Sequence, residues 1–391
     1  MMADRIMKKL PEDVLVYILL RLSVKFLLRF KCVSRTCYTI IQSSGFVNLH
    51  LNRTTTSNDE NILFKRSYKN DINKYKAIFS FLSSDGDDYL NCIFPDVDVP
   101  YITSPYIIDY DQVIGPFQGL IALMDAVITI LFNPSTRNYR LLPTSPFNAP
   151  KGFRRSIECA GFGFDCVVND YKAVRIYDIY NDDRYGYAEH GERKVEIYEL
   201  GIDIWRELEH VNLQLPRLFW LNSSMFYNGA YHWIATSEGR LVILCFDLST
   251  EIFRIIKTPN IRRCSNGTRY SFILLNGSIG LICYPCLGPM VDPMINLIDI
   301  WILKNYNVNE SWGKKYTIRC LPIESPLAVW KDYLLLYQSK NGHFMSYDLN
   351  SDEVVELNLH GCPKSMRVIV YQDSLTPIPR GSTCSTQVHK F

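Results

Sequence analysis

The 391-residue sequence predicts a small all-α unit of three helices, followed by an all-β propeller of six or seven blades. Residues 10–51 carry apolar side chains at helical spacing, whereas the later chain consists of short runs rich in Tyr, Phe, Ile and Val. Along this later chain a strand–turn–strand pattern recurs about every 45 to 65 residues, near the length of a propeller blade, roughly 50 residues. Because the period drifts, a pair of β-sandwiches is the alternative.

The all-α unit starts at Pro11, whose missing N–H suits the first position of a helix. The apolar residues that follow line one side of this helix: Val14, Leu15, Ile18, Leu19 and Leu22. Ser23 and Ser34 are expected to cap a second and a third helix. A unit of ~40 residues buries too little apolar surface to be stable alone, so we expect a partner protein to cover part of it.

This stretch resembles the F-box, a module that docks a Skp-type adaptor. The matching residues are Leu10-Pro11-Glu12-Asp13, Ile18-Leu19, Arg21-Leu22, Lys25–Arg29 and Phe46 to His50-Leu51. The chain departs from the pattern at Tyr17, Ser23 and Cys37, where an acidic residue, Pro and Trp are usual. The resemblance implies an adaptor-binding domain at residues 8–51. The adaptor-binding residues would be Leu10, Pro11, Val14, Leu15, Ile18, Leu19, Leu22, Leu27 and Leu28.

The β domain contains two kinds of segment. The recurring pattern of strand, polar turn and strand is found at residues 130–142, 195–208, 243–256, 298–318 and 344–357. Nearly all-apolar segments at residues 119–124, 225–235, 277–284 and 333–337 predict strands buried on both faces. We place the β domain at residues 60–376. Residues 377–391, rich in Pro and hydroxyl groups, are expected to form a disordered tail.

Fragments of the β domain resemble the F-box-associated domain of plants and, more narrowly, the S-locus F-box proteins of pollen. These fragments are Gly115-Pro116 to Leu120, residues 133–137 (NPSTR), Leu142-Pro143 to Phe147, residues 161–165 (GFGFD), Trp205, and Asn228-Gly229 to Trp233. The resemblance implies the substrate receptor of a ubiquitin ligase that also contains a Skp-type adaptor and a cullin. Its client would be an S-type ribonuclease, bound in the cytoplasm of the pollen tube during self-incompatibility.

Two other functions stay open. The first is a general plant F-box receptor that acts on an unrelated client. The second is a propeller enzyme or a lectin with an incidental helical N-terminus, against which the ordered match of residues 10–51 argues.

Charge and hydropathy argue against nucleic-acid and membrane partners. The 42 basic and 40 acidic residues give a formal charge of +2, so the chain has no overall field that would attract a polyanion. No run reaches the ~18 apolar residues that a membrane helix needs, and we expect a soluble protein. The twelve cysteines are expected to stay reduced, and the close pair Cys283 and Cys286 lacks a second pair of zinc ligands.

The sequence contains no recognisable catalytic constellation. His232 lies beside Trp233 within a strand and is expected to be a core residue. Residues 161–165 lead into another strand rather than a helix, which argues for a structural role and against a phosphate-binding loop. We therefore expect no enzymatic activity, no cofactor and no metal.

An acidic tract is the one compositional feature that suggests a client-binding surface. Residues 80–112 contain seven aspartates and no Lys or Arg. The aspartates are Asp85, Asp87, Asp88, Asp96, Asp98, Asp109 and Asp111. Gathered on one propeller face, they would favour a basic client. The alternative is that they are ordinary solvated turns, in which Asp serves turn chemistry.

Overall fold

A computed structural model describes most of the chain. The described residues are 10–56, 61–69, 75–83, 90–93, 95–104, 112–124, 129–181, 192–209, 217–218, 223–237, 240–259, 261, 268–285, 297–308, 311–319, 321–379 and 389–390. Among these residues, no helix combines the length and apolar character needed to cross a membrane.

The described residues of the N-terminal unit form four helices rather than the three expected. They are α1 (Glu12–Leu19), α2 (Val24–Phe30), α3 (Arg35–Gln42) and α4 (Ser44–Thr56). Ser34 caps α3 as predicted, since its Oγ accepts a hydrogen bond from the Cys37 N–H at 3.1 Å, whereas the Ser23 side chain makes no capping bond. Helix α4 runs into the stretch after residue 51, which has the polar composition of a linker. One face of this helix, with Phe46, Val47 and His50, is buried against the other helices. This tertiary packing stabilises the helix although the local sequence has a weak helix propensity.

The described strands form six antiparallel sheets, the blades of a propeller. Blade 1 contains β26 (Arg367–Tyr371), β1 (Asn61–Lys69), β2 (Tyr75–Ser83), β3 (Asn91–Cys92) and β4 (Val97–Ser104). Blade 2 contains β5 (Gln112–Phe117), β6 (Leu120–Met124), β7 (Thr129–Asn133), β8 (Asn138–Leu141) and β27 (His389–Lys390). Blade 3 contains β9 (Phe153–Asp165), β10 (Asp170–Asn181), β11 (Glu192–Glu199) and β12 (Ile204–Glu207).

The other three blades follow in chain order. Blade 4 contains β13 (Arg217–Leu218), β14 (Ser224–Tyr227), β15 (Ala230–Ser237), β16 (Arg240–Asp247) and β17 (Phe253–Lys257). Blade 5 contains β18 (Thr268–Leu275), β19 (Ser278–Pro285), β20 (Leu297–Leu303) and β21 (Trp312–Arg319). Blade 6 contains β22 (Ile323–Trp330), β23 (Leu334–Ser339), β24 (His343–Asp348) and β25 (Val354–His360).

This arrangement confirms the predicted propeller and fixes the blade number at six. The innermost strands β5, β9, β14, β18, β22 and β26 contact one another around the central axis. The five recurring segments are the hairpins formed by the third and fourth strands of blades 2 to 6. The nearly all-apolar segments contain second strands, and residues 225–235 also contain most of the inner strand β14. Blade 1 closes the ring by pairing β1 with β26, and Asn61 lies opposite Tyr371.

Three of the recurring turns are held by the same device. The side-chain oxygens of Asn133, Asp247 and Asp348 accept hydrogen bonds from the backbone N–H groups two and three residues later, at 2.7–3.1 Å. The fourth residue after each acceptor has a positive φ of 58–61°. A short side chain with a carbonyl or carboxylate oxygen is what such a turn requires, and this explains why the pattern repeats in the sequence.

The glycines of residues 161–165 are required by packing between blades. Strand β9 ends at Asp165 and continues through a turn into β10, which confirms the structural role predicted for this motif. A Cβ atom at Gly161 would lie 2.7–3.0 Å from three ring carbons of Tyr231, and one at Gly163 would overlap Leu248 Cδ1. Blade 4 therefore packs directly on the backbone of blade 3.

Replacing Gly161 by alanine is expected to lower the free energy of unfolding by about 1–3 kcal/mol, because the Tyr231 ring would have to move within a filled core. Urea unfolding would measure the loss. Gly45→Ala in α4 is the matched control, since its added Cβ has no atom within 4 Å apart from its chain neighbours and the nearby backbone of its own helix. Equal effects of the two substitutions would contradict the packing argument.

A segment of residues 373–379, here called the C-terminal strap, joins the helices to the propeller. Leu375 is buried in the same apolar cluster as Leu15 and Leu27 of the helical unit. On the propeller side, Asn133 Nδ2 donates hydrogen bonds to the carbonyl oxygens of Ser374 at 3.1 Å and Thr376 at 2.8 Å. The strap thus fastens the helical unit to a turn of blade 2.

The strap also differs from the disordered tail expected from residue 377. Ile378 is buried in the core shared by blades 2, 3 and 4, and the Pro379 carbonyl accepts a hydrogen bond from Arg140 Nη1 at 2.7 Å. His389 and Lys390 pair with β8. Residues 380–388 and 391 lie outside the described residues.

Candidate interaction surfaces

An exposed apolar stripe lies along the start of the helical unit. Leu10, Val14 and Ile18 follow one another at intervals of four residues, and they are 39%, 42% and 44% exposed. The opposite face of α1 is buried in the helical core. A row of exposed apolar side chains marks a protein interface more often than it marks an ordinary solvated surface.

The nine residues predicted to bind an adaptor divide into two groups. Those that face outward are Leu10, Pro11, Val14 and Ile18, and Leu22 and Leu28 are half-buried. Leu15, Leu19 and Leu27 are at most 3% exposed and form the helical core, so they are not accessible at the surface of this structure. Sequence spacing could not separate the two groups, because α1 has apolar side chains on both faces.

Cys37, which stands where the F-box pattern usually has Trp, is fully buried in the same helical core. It contacts no solvent and takes no part in the exposed apolar stripe. Its thiol fills the position of a small apolar side chain.

The acidic tract does not form a free acidic surface at the aspartates that the structure describes. Asp96 accepts hydrogen bonds from Arg66 Nη2 at 2.8 Å and from Ser80 Oγ at 2.7 Å. Asp98 lies 2.6 Å from Lys76 Nζ. Both aspartates therefore pair with basic residues of their own sheet. Asp85, Asp87, Asp88, Asp109 and Asp111 lie outside the described residues, and their client-binding role stays a prediction.

A central recess of about 690 Å³ lies on the propeller axis, lined by the inner strands. Arg269 and Glu324 line it near the first residues of β18 and β22 and form an ion pair at 3.1 Å. Arg367 lines it at the first residue of β26. The strap follows the last residue of β26, so this end of the axis points away from the helices. Sequence reasoning missed the recess because its lining comes from residues scattered between 113 and 370.

Buried charges elsewhere in the propeller have structural partners. The Glu196 side chain is inaccessible to solvent and contacts Arg155 and Arg175, while Ser145 Oγ donates a hydrogen bond to it at 2.5 Å. In the same way Arg140 and Asp203, both inaccessible, form an ion pair at 2.6 Å. These ion pairs connect neighbouring strands and blades: Arg175 and Glu196 lie on paired strands, and Arg140 and Asp203 lie in blades 2 and 3.

His232 is a fully buried core residue, as its place in the sequence suggested. Its Nδ1 lies 3.2 Å from the Met225 carbonyl oxygen and its Nε2 lies 2.9 Å from the Tyr306 hydroxyl. A carbonyl only accepts, so Nδ1 donates to it and the neutral ring accepts from Tyr306 through Nε2. Burial lowers the pKa of this imidazole from 6.5 to about 4.

We expect the propeller to lose stability as the pH falls from 6.5 to 4. In this window the unfolded chain binds a proton at His232 and the folded chain does not, so the loss reaches about 3 kcal/mol. Urea unfolding at a series of pH values would measure it. In His232→Gln and His232→Phe the slope between pH 4 and 6.5 should become shallower than in the wild type. Parallel slopes would contradict this account.

Comparisons with known proteins agree with this geometry. The F-box domain matches residues 7–49, and the F-box associated beta propeller domain matches residues 62–355, well over half of the chain. The F-box protein CPR1 of Arabidopsis thaliana is 28% identical over 392 residues, which cover 94% of this chain and 89% of that protein. An F-box/kelch-repeat protein of Arabidopsis thaliana is 26% identical over 366 residues, covering 86% and 89%. Among solved structures, TolB from Acinetobacter baumannii is similar with a TM-score of 0.43 and 12% identity, covering 86% of this chain and 72% of TolB.

Proposed function

We propose that this chain is the substrate-recognition subunit of a ubiquitin ligase. The premise is that the chain belongs to the family of F-box proteins with an F-box-associated β-propeller domain. An F-box implies partnership with a Skp-type adaptor and, through it, a cullin. The observation that carries the proposal is the apolar stripe of Leu10, Val14 and Ile18, which is exposed among the residues that the structure describes.

The receptor contributes proximity rather than a reacting group. F-box proteins are in general non-catalytic subunits. Holding a client next to a conjugating enzyme converts an encounter between two molecules into a reaction within one complex, and this alone gives a large rate advantage. The exposed apolar stripe lies on the helices, whereas the central recess lies within the ring of inner strands, so the two surfaces needed for this task belong to different domains.

The central recess is the proposed contact region for the client. It is concave, it is lined by strands of a rigid ring, and its wall combines apolar residues with the ion pair of Arg269 and Glu324. Binding sites commonly combine an apolar wall with a few convergent polar groups. The broader form of this proposal is that the chain is a general plant F-box receptor for a client unrelated to S-type ribonucleases.

The narrower form assigns an S-type ribonuclease as the client and the cytoplasm of the pollen tube as the location. It rests on the resemblance of short fragments to S-locus F-box proteins. Those fragments have scaffold roles in this chain: Asn133 fastens the strap, Gly161 receives Tyr231, and Trp205 Nε1 donates a hydrogen bond to the Pro143 carbonyl at 2.8 Å. Because they serve the fold, they support the family more than the client.

A capture experiment tests both forms. The full chain, immobilised, is offered a Skp-type adaptor and a panel of S-type ribonucleases. Binding of the adaptor together with selected ribonucleases supports the narrower form. Binding of the adaptor alone contradicts the narrower form and leaves the general receptor. Failure to bind any Skp-type adaptor would overturn the proposal.

A variant at the recess tests where the client binds. Arg367→Glu reverses one charge in the lining of the recess, in the propeller and outside the helical unit that carries the exposed apolar stripe. We expect it to weaken binding of a captured client while adaptor binding stays unchanged. Unchanged client binding would place the client elsewhere on the propeller.

A further inference from the structure

We propose that His343, Glu356 and His360 bind a divalent transition-metal ion, best fitted by zinc, at one edge of blade 6. Among the residues that the structure describes, this group alone places three His, Cys, Asp or Glu ligand atoms within 4.8 Å of one another. The group lies at the start of β24 and the end of β25, at the same end of the propeller as the first residue of β26. It therefore shares the face that points away from the F-box.

Strand geometry brings these three side chains together. His343 pairs directly with His360, whereas two positions further along β24 Met345 pairs with Glu356. Two steps on β24 thus correspond to four on β25, and the two extra residues form a bulge in which Asn358 has a positive φ of 52°. Because the number of extra residues is even, Glu356 and His360 stay on the same side of the sheet as His343.

The distances suit a small cation. His343 Nδ1 lies 2.6 Å from Glu356 Oε1, and the rings of His343 and His360 meet edge to face with centroids 4.5 Å apart. Zinc bonds of about 2.0–2.2 Å to nitrogen and oxygen place tetrahedral ligand atoms ~3.3 Å from one another. Small rotations of the three solvent-accessible side chains reach that spacing, and two imidazoles with one carboxylate leave a fourth position open, as zinc sites with three protein ligands do.

The backbone around the group is well held. Arg66 Nη1 donates a hydrogen bond to the His360 carbonyl at 2.8 Å, and the Gly361 N–H donates to the Gly342 carbonyl at 3.0 Å. The positive charge of Arg66 is compensated by Asp96 at 2.8 Å, so it does not strongly oppose a cation. Both strand ends that carry the ligands are therefore fixed before a metal arrives, which lowers the entropic cost of binding.

The simpler alternative is an ordinary ion pair between His343 and Glu356, at 2.6 Å. The two interpretations differ in what they require of His360. An ion pair does not need this residue, whereas a metal site with three ligands does. His360 is therefore the most informative position to change.

The test is an equilibrium titration of the full chain, without an affinity tag and under a non-thiol reductant, with Zn²⁺, Co²⁺ and Mg²⁺. We expect one equivalent of Zn²⁺ or Co²⁺ to bind and Mg²⁺ not to bind, because imidazole suits the first two ions. His343→Gln and His360→Gln should each weaken binding at least tenfold, and Glu356→Gln should weaken it as well. Asp299→Asn is the matched control, since this carboxylate lies on an outer strand pair of blade 5 and bonds to Lys314 and Thr317. The Asp299→Asn variant should bind Zn²⁺ and Co²⁺ with the affinity of the wild type.

Three results would overturn the proposal. The first is a wild-type chain that binds no Zn²⁺. The second is binding that is equally strong in His360→Gln, with circular dichroism confirming that the variant is folded. The third is a Co²⁺ complex with thiolate-to-metal charge-transfer absorption, which would place the metal on cysteines. None of these measurements uses the adaptor or a client, so the outcome is independent of the proposed receptor function.

Discussion

Changing both Val14 and Ile18 to aspartate is expected to weaken binding of a Skp-type adaptor by at least a hundredfold while the propeller stays folded. Both side chains are more than 40% exposed, so the charges cost little in the free chain. At an interface each carboxylate would lose its water without gaining a partner, and each lost apolar anchor alone costs about 2 kcal/mol. Calorimetric titration with the adaptor would measure the effect.

Ile204→Asp is the control for this experiment. Ile204 is an exposed strand residue of blade 3, 55% accessible, and lies outside the helical unit. The Ile204→Asp variant should bind the adaptor with the affinity of the wild type. Leu19→Asp should behave differently again, because it places a charge in the helical core and unfolds that unit. Wild-type affinity in the double variant would contradict the assignment of the stripe.

Replacing Glu196 by glutamine should destabilise the propeller by about 3–5 kcal/mol, because it leaves buried guanidinium charge without its counter-charge. Glu196 lies directly opposite Arg175 on the paired strand β10, and both side chains are almost fully buried. Arg175 also packs over the Trp205 ring at 4.7 Å, and Arg155 packs over the Tyr177 ring at 3.9 Å, so neither can turn to solvent easily. Urea unfolding would measure the loss.

Glu207→Gln gives the comparison within the same blade. Glu207 lies 2.7 Å from Lys194, and both side chains are about 30% exposed. A partly exposed pair of this kind contributes about 0–1 kcal/mol, since water screens and replaces it. If Glu196→Gln lowers the free energy of unfolding no more than Glu207→Gln does, the buried cluster does not stabilise blade 3.

Most of the fold could be predicted because its repeating units are local. The turn at Asn133 depends on the side-chain acceptor of Asn133 and on the positive φ of Arg137. These residues lie within five positions of each other, so a short stretch of sequence contains the whole turn. Blade 1 could not be predicted in this way, because it pairs Asn61 with Tyr371, and local patterns do not record such distant pairing. Helix α4 was missed for a related reason, since the contacts that stabilise it are made by other helices.

The surfaces were harder to predict than the fold. The F-box pattern predicted a set of adaptor-binding residues, but the sequence did not distinguish exposed Ile18 from buried Leu19. The acidic tract suggested a patch, whereas Asp96 is paired with Arg66, a residue from another strand. The cluster of His343 and His360 depends on a bulge, and a bulge changes which residues meet without leaving a periodic signal.

The strap has a consequence for how a ligase could use this receptor. Leu375 is inserted into the helical core while Ser374 and Thr376 are bonded to the propeller, so the strap restricts movement of one domain relative to the other. In the proposed complex, the distance and direction from the adaptor to a bound client would then be constant. Only lysines on one side of the client, within a narrow zone, would come under the conjugating enzyme. Selection of the modified lysine would thus be determined by the shape of the receptor, in addition to the choice of client.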